Sequence, residues 1–478
     1  MTRYPRILIP INRGHMARLL IYSGVVNLLA KMGAHVTVLT PQGVSSPLRM
    51  YLPENVTIQD LPLPGLRFSN RWNRLFFYLY QTSICTGSSQ ARLEVIRAQQ
   101  PLRYALMTKS PPALLKRLRD ILISVRHIVL DANRYASVFS ENQPDLVLAG
   151  TLGRNLEDYY LIRYARLNSI RNIGTIQSWD TLTTKEYGFE KPERLTVWNP
   201  RNRSEAVRLF QYRETDVAVV GVPHFDIYIH RKKSTGGLSR AQWLTRYNFQ
   251  EQREVLLVTG QGGHVHQNLT EVVKALADGI SSNSFVKPVQ VLVRPHPAVY
   301  FGVVPGQGTE EDLKLFEAMS PFIKANRPVR STVPIMVDTH ASEHETLAEH
   351  LFHCAMLVDF YGTLAIEACV MDRPVVFADV KSSFAAMVEK EAVSRQIDYK
   401  KYDHLNYIFE LRGTRIAHNR DQLYESINLY LQDPAHDRDG RQAIAKAFCH
   451  KLDGRSAERM AQVLYDYARG IWSPSSVE

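Results

Sequence analysis

Two short stretches in the second half of this 478-residue chain set cations and hydrogen-bond donors on constrained backbone. The first is Arg294-Pro295-His296-Pro297, directly after the apolar run Val289–Arg294. An arginine supplies a fixed charge and a fork of donors, a histidine supplies a switchable donor, and flanking prolines hold the turn. That set suits a diphosphate. It also suits a rigid turn whose histidine caps a backbone group. The second is Val358–Ala368, where a strand ends at Asp359 and Tyr361-Gly362-Thr363 leads into a helix. Gly362 permits close backbone approach, and Thr363 stands where an N-cap residue would. The helix start would turn free N–H groups toward an anion. Glu367, one turn further in, could reach a ribose hydroxyl. The plain alternative is a capped helix with a solvated glutamate.

Thr259-Gly260-Gln261-Gly262-Gly263-His264 follows another apolar run, Glu254–Thr259. Gly260, Gly262 and Gly263 fit a phosphate or sugar loop, although the spacing is not G-x-G-x-x-G. The same residues fit a simple turn. In the first half, two groups could take a proton from an acceptor hydroxyl. His15 lies in Asn12-Arg13-Gly14-His15, beyond the first strand, and Asp180 ends Gln177-Ser178-Trp179-Asp180. Each also has a structural reading: His15 bonded to a backbone carbonyl, Asp180 capping the next helix. His340, His344, His350 and His353 form a histidine-rich run. It lacks the H-E-x-x-H spacing of a zinc site, so it reads as a loop and an amphipathic helix.

The elements that must position these groups alternate strand and helix. Arg6–Pro10, His35–Thr40, Asp145–Gly150, Asn172–Gln177, Leu195–Trp198 and Val217–Val220 read as strands in the first half. Helical patterns span Arg18–Met32, Ala113–Asn142, Leu156–Leu167 and Ser204–Tyr212. Lys232–Leu238 is polar and glycine-containing, a linker. The alternation then restarts through Glu254–Thr259, Val289–Arg294, Pro334–Asp338, Met356–Asp359 and Pro374–Ala378, with helices closing the chain. The reading is α/β: two Rossmann-like domains, 1–235 and 236–478, facing a cleft, with C-terminal helices crossing back. Ligands of open parallel sheets bind beyond the C-terminal strand ends, where all these motifs fall.

In their order, these motifs resemble the GT-B glycosyltransferases. They are most similar to the branch of CDP-glycerol glycerophosphotransferases and capsule polysaccharide transferases. Arg294–Pro297, Val358–Glu367 and Arg373–Val376 match that branch's strand-plus-HP, strand–turn–helix and K-P-V motifs. Val220–Asp226 is similar to its G-x-P-x-F-D. Leu452–Arg459 is similar to its D-G-x-S-x-R. The resemblance implies an acceptor domain followed by a nucleotide-sugar donor domain. Arg294, His296, Tyr361, Gly362, Thr363 and the glycine loop would hold the donor diphosphate, and Glu367 the ribose. His15 or Asp180 would be the base. The expected activity is metal-independent sugar transfer to a surface-glycan or lipid-linked acceptor, with no cofactor. The chain departs from the branch where Gln177–Thr181 replaces a His-Gly dipeptide and Tyr361-Gly362-Thr363 replaces Tyr-Ser-Ser. Polyol-phosphate transfer, sugar-nucleotide 2-epimerisation and a non-catalytic scaffold therefore stay open.

Formal net charge is +11, favouring anionic partners. Arg67–Tyr80 interleaves arginines with aromatics, and Lys116, Arg117, Arg119 and Arg126 lie on a second apolar-rich helix. Both suit an anionic membrane surface, an acceptor, or a core helix with solvated arginines. No nucleic-acid motif accompanies the charge. The four separated cysteines and the lack of a signal-like start point to a cytoplasmic protein. The resemblance implies a bacterial-type cell envelope, and the basic-aromatic segments suit its inner membrane face.

Overall fold

The computed structural model describes residues 3–42, 48–62, 79, 86–99, 102, 104–105, 111–186, 188–234, 236–260, 269–304, 306–330, 341–379 and 399–474. Gly262, Gly263, His340, the strand expected at Pro334–Asp338, Cys85 and all of Arg67–Tyr80 except Leu79 lie outside these residues.

Among the described residues, thirteen strands form two parallel sheets. The first contains β1 (Arg6–Pro10), β2 (His35–Thr40), β3 (Thr57–Asp60), β4 (Leu146–Ala149), β5 (Arg171–Thr175), β6 (Arg194–Val197) and β7 (Val217–Val219), ordered β3-β2-β1-β4-β5-β6-β7. The second contains β8 (Glu254–Thr259), β9 (Val289–Arg294), β10 (Ile323–Ala325), β11 (Met356–Asp359), β12 (Val375–Ala378) and β13 (Arg415–Ala417), ordered β10-β9-β8-β11-β12-β13. Both orders reverse beside the central strand, which opens a crevice at the C-terminal edge of each sheet. β4, β9, β11 and β12 are buried throughout, as strands covered by helices on both faces must be.

Two helical patterns break. Arg18–Met32 is interrupted by a widened π-turn over Ala17–Tyr22 and by Gly24 at φ 86°, before the Val25–Lys31 helix. Ala113–Asn142 becomes the Pro112–Val129 helix, a 3-10 turn and the Ala136–Asn142 helix.

The Ser456–Ala468 helix returns to the first domain. Met460, Ala461 and Leu464 pack with Val25, Val26 and Leu29. The first domain's core therefore includes the Ser456–Ala468 helix as well as residues before the expected 235/236 boundary. The Val220–Asp226 and Leu452–Arg459 motifs meet at this return crossing. Asp226 Oδ2 accepts the Ala457 N–H at 2.8 Å, and Arg459 Nε donates to the Val220 carbonyl at 3.1 Å. Gly221 has φ 86°, and a Cβ there would lie 2.6 Å from Ser456 Oγ. Gly221→Ala should therefore cost more than about 1 kcal/mol of unfolding free energy in a urea titration. An unchanged midpoint would show that this packing does not hold the return crossing.

Candidate active site

The cleft between the sheet edges is built by residues far apart in sequence. Arg18, on the π-turn after β1, places Nη2 3.2 and 3.3 Å from the two carboxylate oxygens of Glu367. It also donates to Tyr228 Oη at 3.4 Å, and the Tyr228 hydroxyl donates to Glu367. Glu367 and Tyr228 are buried, and the Arg18 side chain is 23% exposed. Burial works against the Arg18 charge, but Glu367 and Tyr228 prevail and raise its pKa. Glu367, expected to bind ribose, thus has both oxygens engaged in a bridge between the domains. The sequence shows no sign of this bridge, because its partners are 139 and 349 residues away.

Arg294 ends β9 at the same edge. Its Nη2 donates to Glu343 Oε2 at 3.0 Å, and Glu343 Oε1 accepts the Val329 N–H at 3.1 Å. Arg294 Nη1 and Arg18 Nε are both buried without a hydrogen-bond partner among the described residues. An unpaired buried donor is costly and marks a place where a ligand would be welcome.

His296 caps the Pro297–Tyr300 turn: its Nδ1 accepts the Ala298 N–H at 3.1 Å. That bond leaves the proton of the neutral ring on Nε2, so the ring can cap the turn and still donate from its other nitrogen. Burial, helped by the Arg294 charge, pushes the His296 pKa down to about 4. His15 keeps an open face, yet the surrounding protein and the charges of Lys185 and Arg18 hold its pKa at about 4. His224 and His344 are driven well below the ordinary value by burial and by Arg18. The cleft is therefore lined by neutral imidazoles set among arginines. The histidine run divides: His344 faces Tyr22 of the first domain at 5.6 Å, while His350 and His353 are bound to Tyr247 and the Leu238 carbonyl.

Asp180 is held rather than free. It accepts from Ser178 Oγ, Thr184 Oγ1 and Lys185 Nζ, each at 2.7 Å. Burial alone would raise its pKa, but Lys185, His404 and Thr184 hold it far below the carboxylate range. A carboxylate so stabilised is a weak base. Its side chain makes no cap bond to the Thr181–Lys185 turn, contrary to the capping expectation, and anchors that turn through Ser178, Thr184 and Lys185 instead.

The turn after β11 is pinned by Asp359, which accepts from Thr259 Oγ1 at 2.6 Å and from the Gly362 N–H at 2.7 Å. Tyr361 adopts φ 65°, unusual for an aromatic residue, with its ring stacked 4.8 Å from Phe377. Such strain is typical of functional turns. Thr363 has helical backbone angles and makes no side-chain cap bond, contrary to the N-cap expectation. Gly260 extends the β8–β9 ladder by donating to the Arg294 carbonyl at 2.9 Å.

Two buried carboxyls behind the Arg13 turn escaped the sequence reading. Glu186 accepts the Leu152 N–H at 3.0 Å, and burial pushes its pKa up to about 7. Asp158, buried beside it, is pushed to about 6. Neither the helical pattern around Asp158 nor the polar run around Glu186 reveals their burial.

Neither a family model nor a curated protein sequence matches this chain. Solved structures do. A structure from Listeria monocytogenes described as a UDP-N-acetylglucosamine 2-epimerase is 9% identical, with TM-score 0.56 and 98% of each chain covered. The Neisseria meningitidis UDP-GlcNAc 2-epimerase bound to UDP-GlcNAc is 10% identical, with TM-score 0.54, covering 96% of this chain and 98% of that one. A glycosyltransferase from Rickettsia africae is 10% identical, with TM-score 0.51, covering 98% and 99%. At such identity the likeness defines the fold: two parallel-sheet α/β domains in the GT-B arrangement.

Arg18→Met should lower the unfolding free energy by about 3 kcal/mol, more than Glu367→Gln, because it strands a buried carboxylate. Equal, negligible losses in urea unfolding would show that the bridge carries no stability.

Proposed function

We propose that this protein is a sugar-nucleotide enzyme whose second domain holds a nucleoside-diphosphate sugar through Arg294, His296 and the Tyr361–Thr363 turn, with Glu367 at the ribose. The observation that carries the reading is the pair of buried guanidinium N–H groups, one from each domain, that have no partner among the described residues and lie among histidines that stay neutral. Fixed donors of this kind stabilise a diphosphate leaving group. Transfer to a surface-glycan or lipid-linked acceptor fits an open, unprotonated His15 on the first-domain side, acting as base. The motif resemblance to the CDP-glycerol and capsule-transferase branch supports the same reading. The net charge of +11 agrees with a cell-envelope setting at an anionic membrane surface in a bacterial-type cell. Among the described residues no helix is long and apolar enough to cross a membrane.

Sugar-nucleotide 2-epimerisation is the second reading. It draws on Glu186, whose carboxyl near pKa 7 is suited to moving protons at neutral pH. It also draws on the two structural neighbours described as 2-epimerases.

The two readings separate in one assay. Purified protein is incubated with UDP-, CDP-, GDP- and TDP-linked sugars, with and without glycan acceptors. Acceptor-dependent release of nucleoside diphosphate supports transfer, whereas interconversion of the donor without acceptor supports epimerisation. Turnover that survives His296→Ala removes the donor-site assignment. The pH profile of kcat/KM reads the base directly. A base is active above its pKa, so with His15 the acidic limb should fall near pH 4, not near 6.5. A limb near pH 7 would instead implicate Glu186.

A further inference from the structure

Arg18 lies outside every motif that the sequence analysis singled out, yet it bridges the two domains through Glu367 and Tyr228. Its charge depresses the pKa values of His15, His224 and His344. The Arg294 charge acts on His296, His344 and Tyr228. His344 and Tyr228 are thus reached by both guanidiniums, one from each domain. Each guanidinium is held on one side by a single buried carboxylate, Glu367 for Arg18 and Glu343 for Arg294. Each also keeps one buried N–H without a partner among the described residues: Nε of Arg18 and Nη1 of Arg294. Two positive charges that reach the same side chains, each with a spare donor, match an anion carrying two negative charges.

The carboxylates differ in what a nucleotide would do to them. Glu343 also accepts the Val329 backbone N–H, so its hold on Arg294 is braced within one domain. Glu367 is held by Arg18 and Tyr228, and ribose hydroxyls would compete for the same two oxygens.

We propose that Arg18 is the diphosphate ligand contributed by the first domain, paired with Glu367 until a nucleotide takes that carboxylate. The exchange is of non-covalent partners only. Ribose hydroxyls donate to Glu367, and the released Arg18 guanidinium turns to the diphosphate opposite Arg294. Binding thereby converts an ion pair between the domains into a clamp on the donor. This assignment rests on the nucleotide-sugar reading. It extends that reading by requiring diphosphate recognition from the first domain.

The test compares uridine and UDP binding by ligand-observed NMR and calorimetry, using full-length wild type, Arg18→Met and Arg18→Lys. Thermal melting first confirms that each variant is folded. Arg18→Met should weaken UDP binding at least ~10-fold while leaving uridine binding unchanged or tighter, because Glu367 is freed for the ribose. Arg18→Lys, which keeps the charge, should recover part of the UDP affinity and supplies the comparison if Arg18→Met does not fold. Parallel weakening of uridine and UDP would overturn the proposal, since that is what a structural role produces. Unchanged UDP affinity, or no detectable uridine binding by any of the proteins, would overturn it too. Failure of the wild type to bind UDP, CDP, GDP or TDP would instead remove the nucleotide reading itself, and this assignment with it.

Discussion

A carboxylate taken out of water must find a cation or lose its charge, and Glu367 finds its cation on the other domain. That requirement ties the fold together. The Arg18–Glu367 bridge joins the two domains, and Tyr228, on the helix leading out of the first domain, completes it. Further contacts follow the same boundary. Asp403 accepts the Gly87 and Ser88 N–H groups at 3.3 and 2.8 Å, Arg201 donates to the Asp403 carbonyl at 2.8 Å, and Trp179 meets His404 at 4.7 Å. The return of the Ser456–Ala468 helix closes the connection from the opposite end. The cleft is therefore a place where packing between domains and potential ligand recognition use the same side chains.

This sharing explains the electrostatics. Arg13, Arg18, Arg294 and Lys185 crowd the cleft, and the nearby histidines respond by staying neutral. Neutral imidazoles spare the cleft additional repulsion and remain available as donors or bases. Acidic groups divide by task. Asp180 is fully bonded and strongly acidic, Glu343 and Glu367 neutralise arginines, and Glu186 and Asp158 lie buried with raised pKa values. Environment, more than residue type, sets what each can do.

Much of the architecture was legible because parallel strands buried on both faces are continuous apolar runs: EVLLVT, VQVLVR and PVVFA need no periodicity analysis. The edge strands β3, β10 and β13 were missed, being only three or four residues long, and β3 is not buried at any position. Breaks within helices were missed because Gly24 and the 3-10 turn at Ala132–Tyr135 interrupt otherwise regular apolar spacing. Among the candidate site residues, the placement of Arg294, His296 and the Tyr361–Thr363 turn could be read because each sits at a strand end within one local motif. Arg18, Tyr228, Glu343 and Glu186 could not, since their meaning comes from partners on other elements. Asp180 was legible as a carboxylate in the right loop, but not as one whose oxygens are engaged by its neighbours.

The central claim is that both sheet edges recognise one nucleotide. Hydrogen–deuterium exchange with and without a saturating UDP-linked sugar tests it most directly. The account predicts that backbone amides near Arg13–Tyr22, Arg294–Tyr300 and Tyr361–Glu367 slow together, one set in the first domain and two in the second. Protection confined to the second domain, or absent from all three segments, would contradict it.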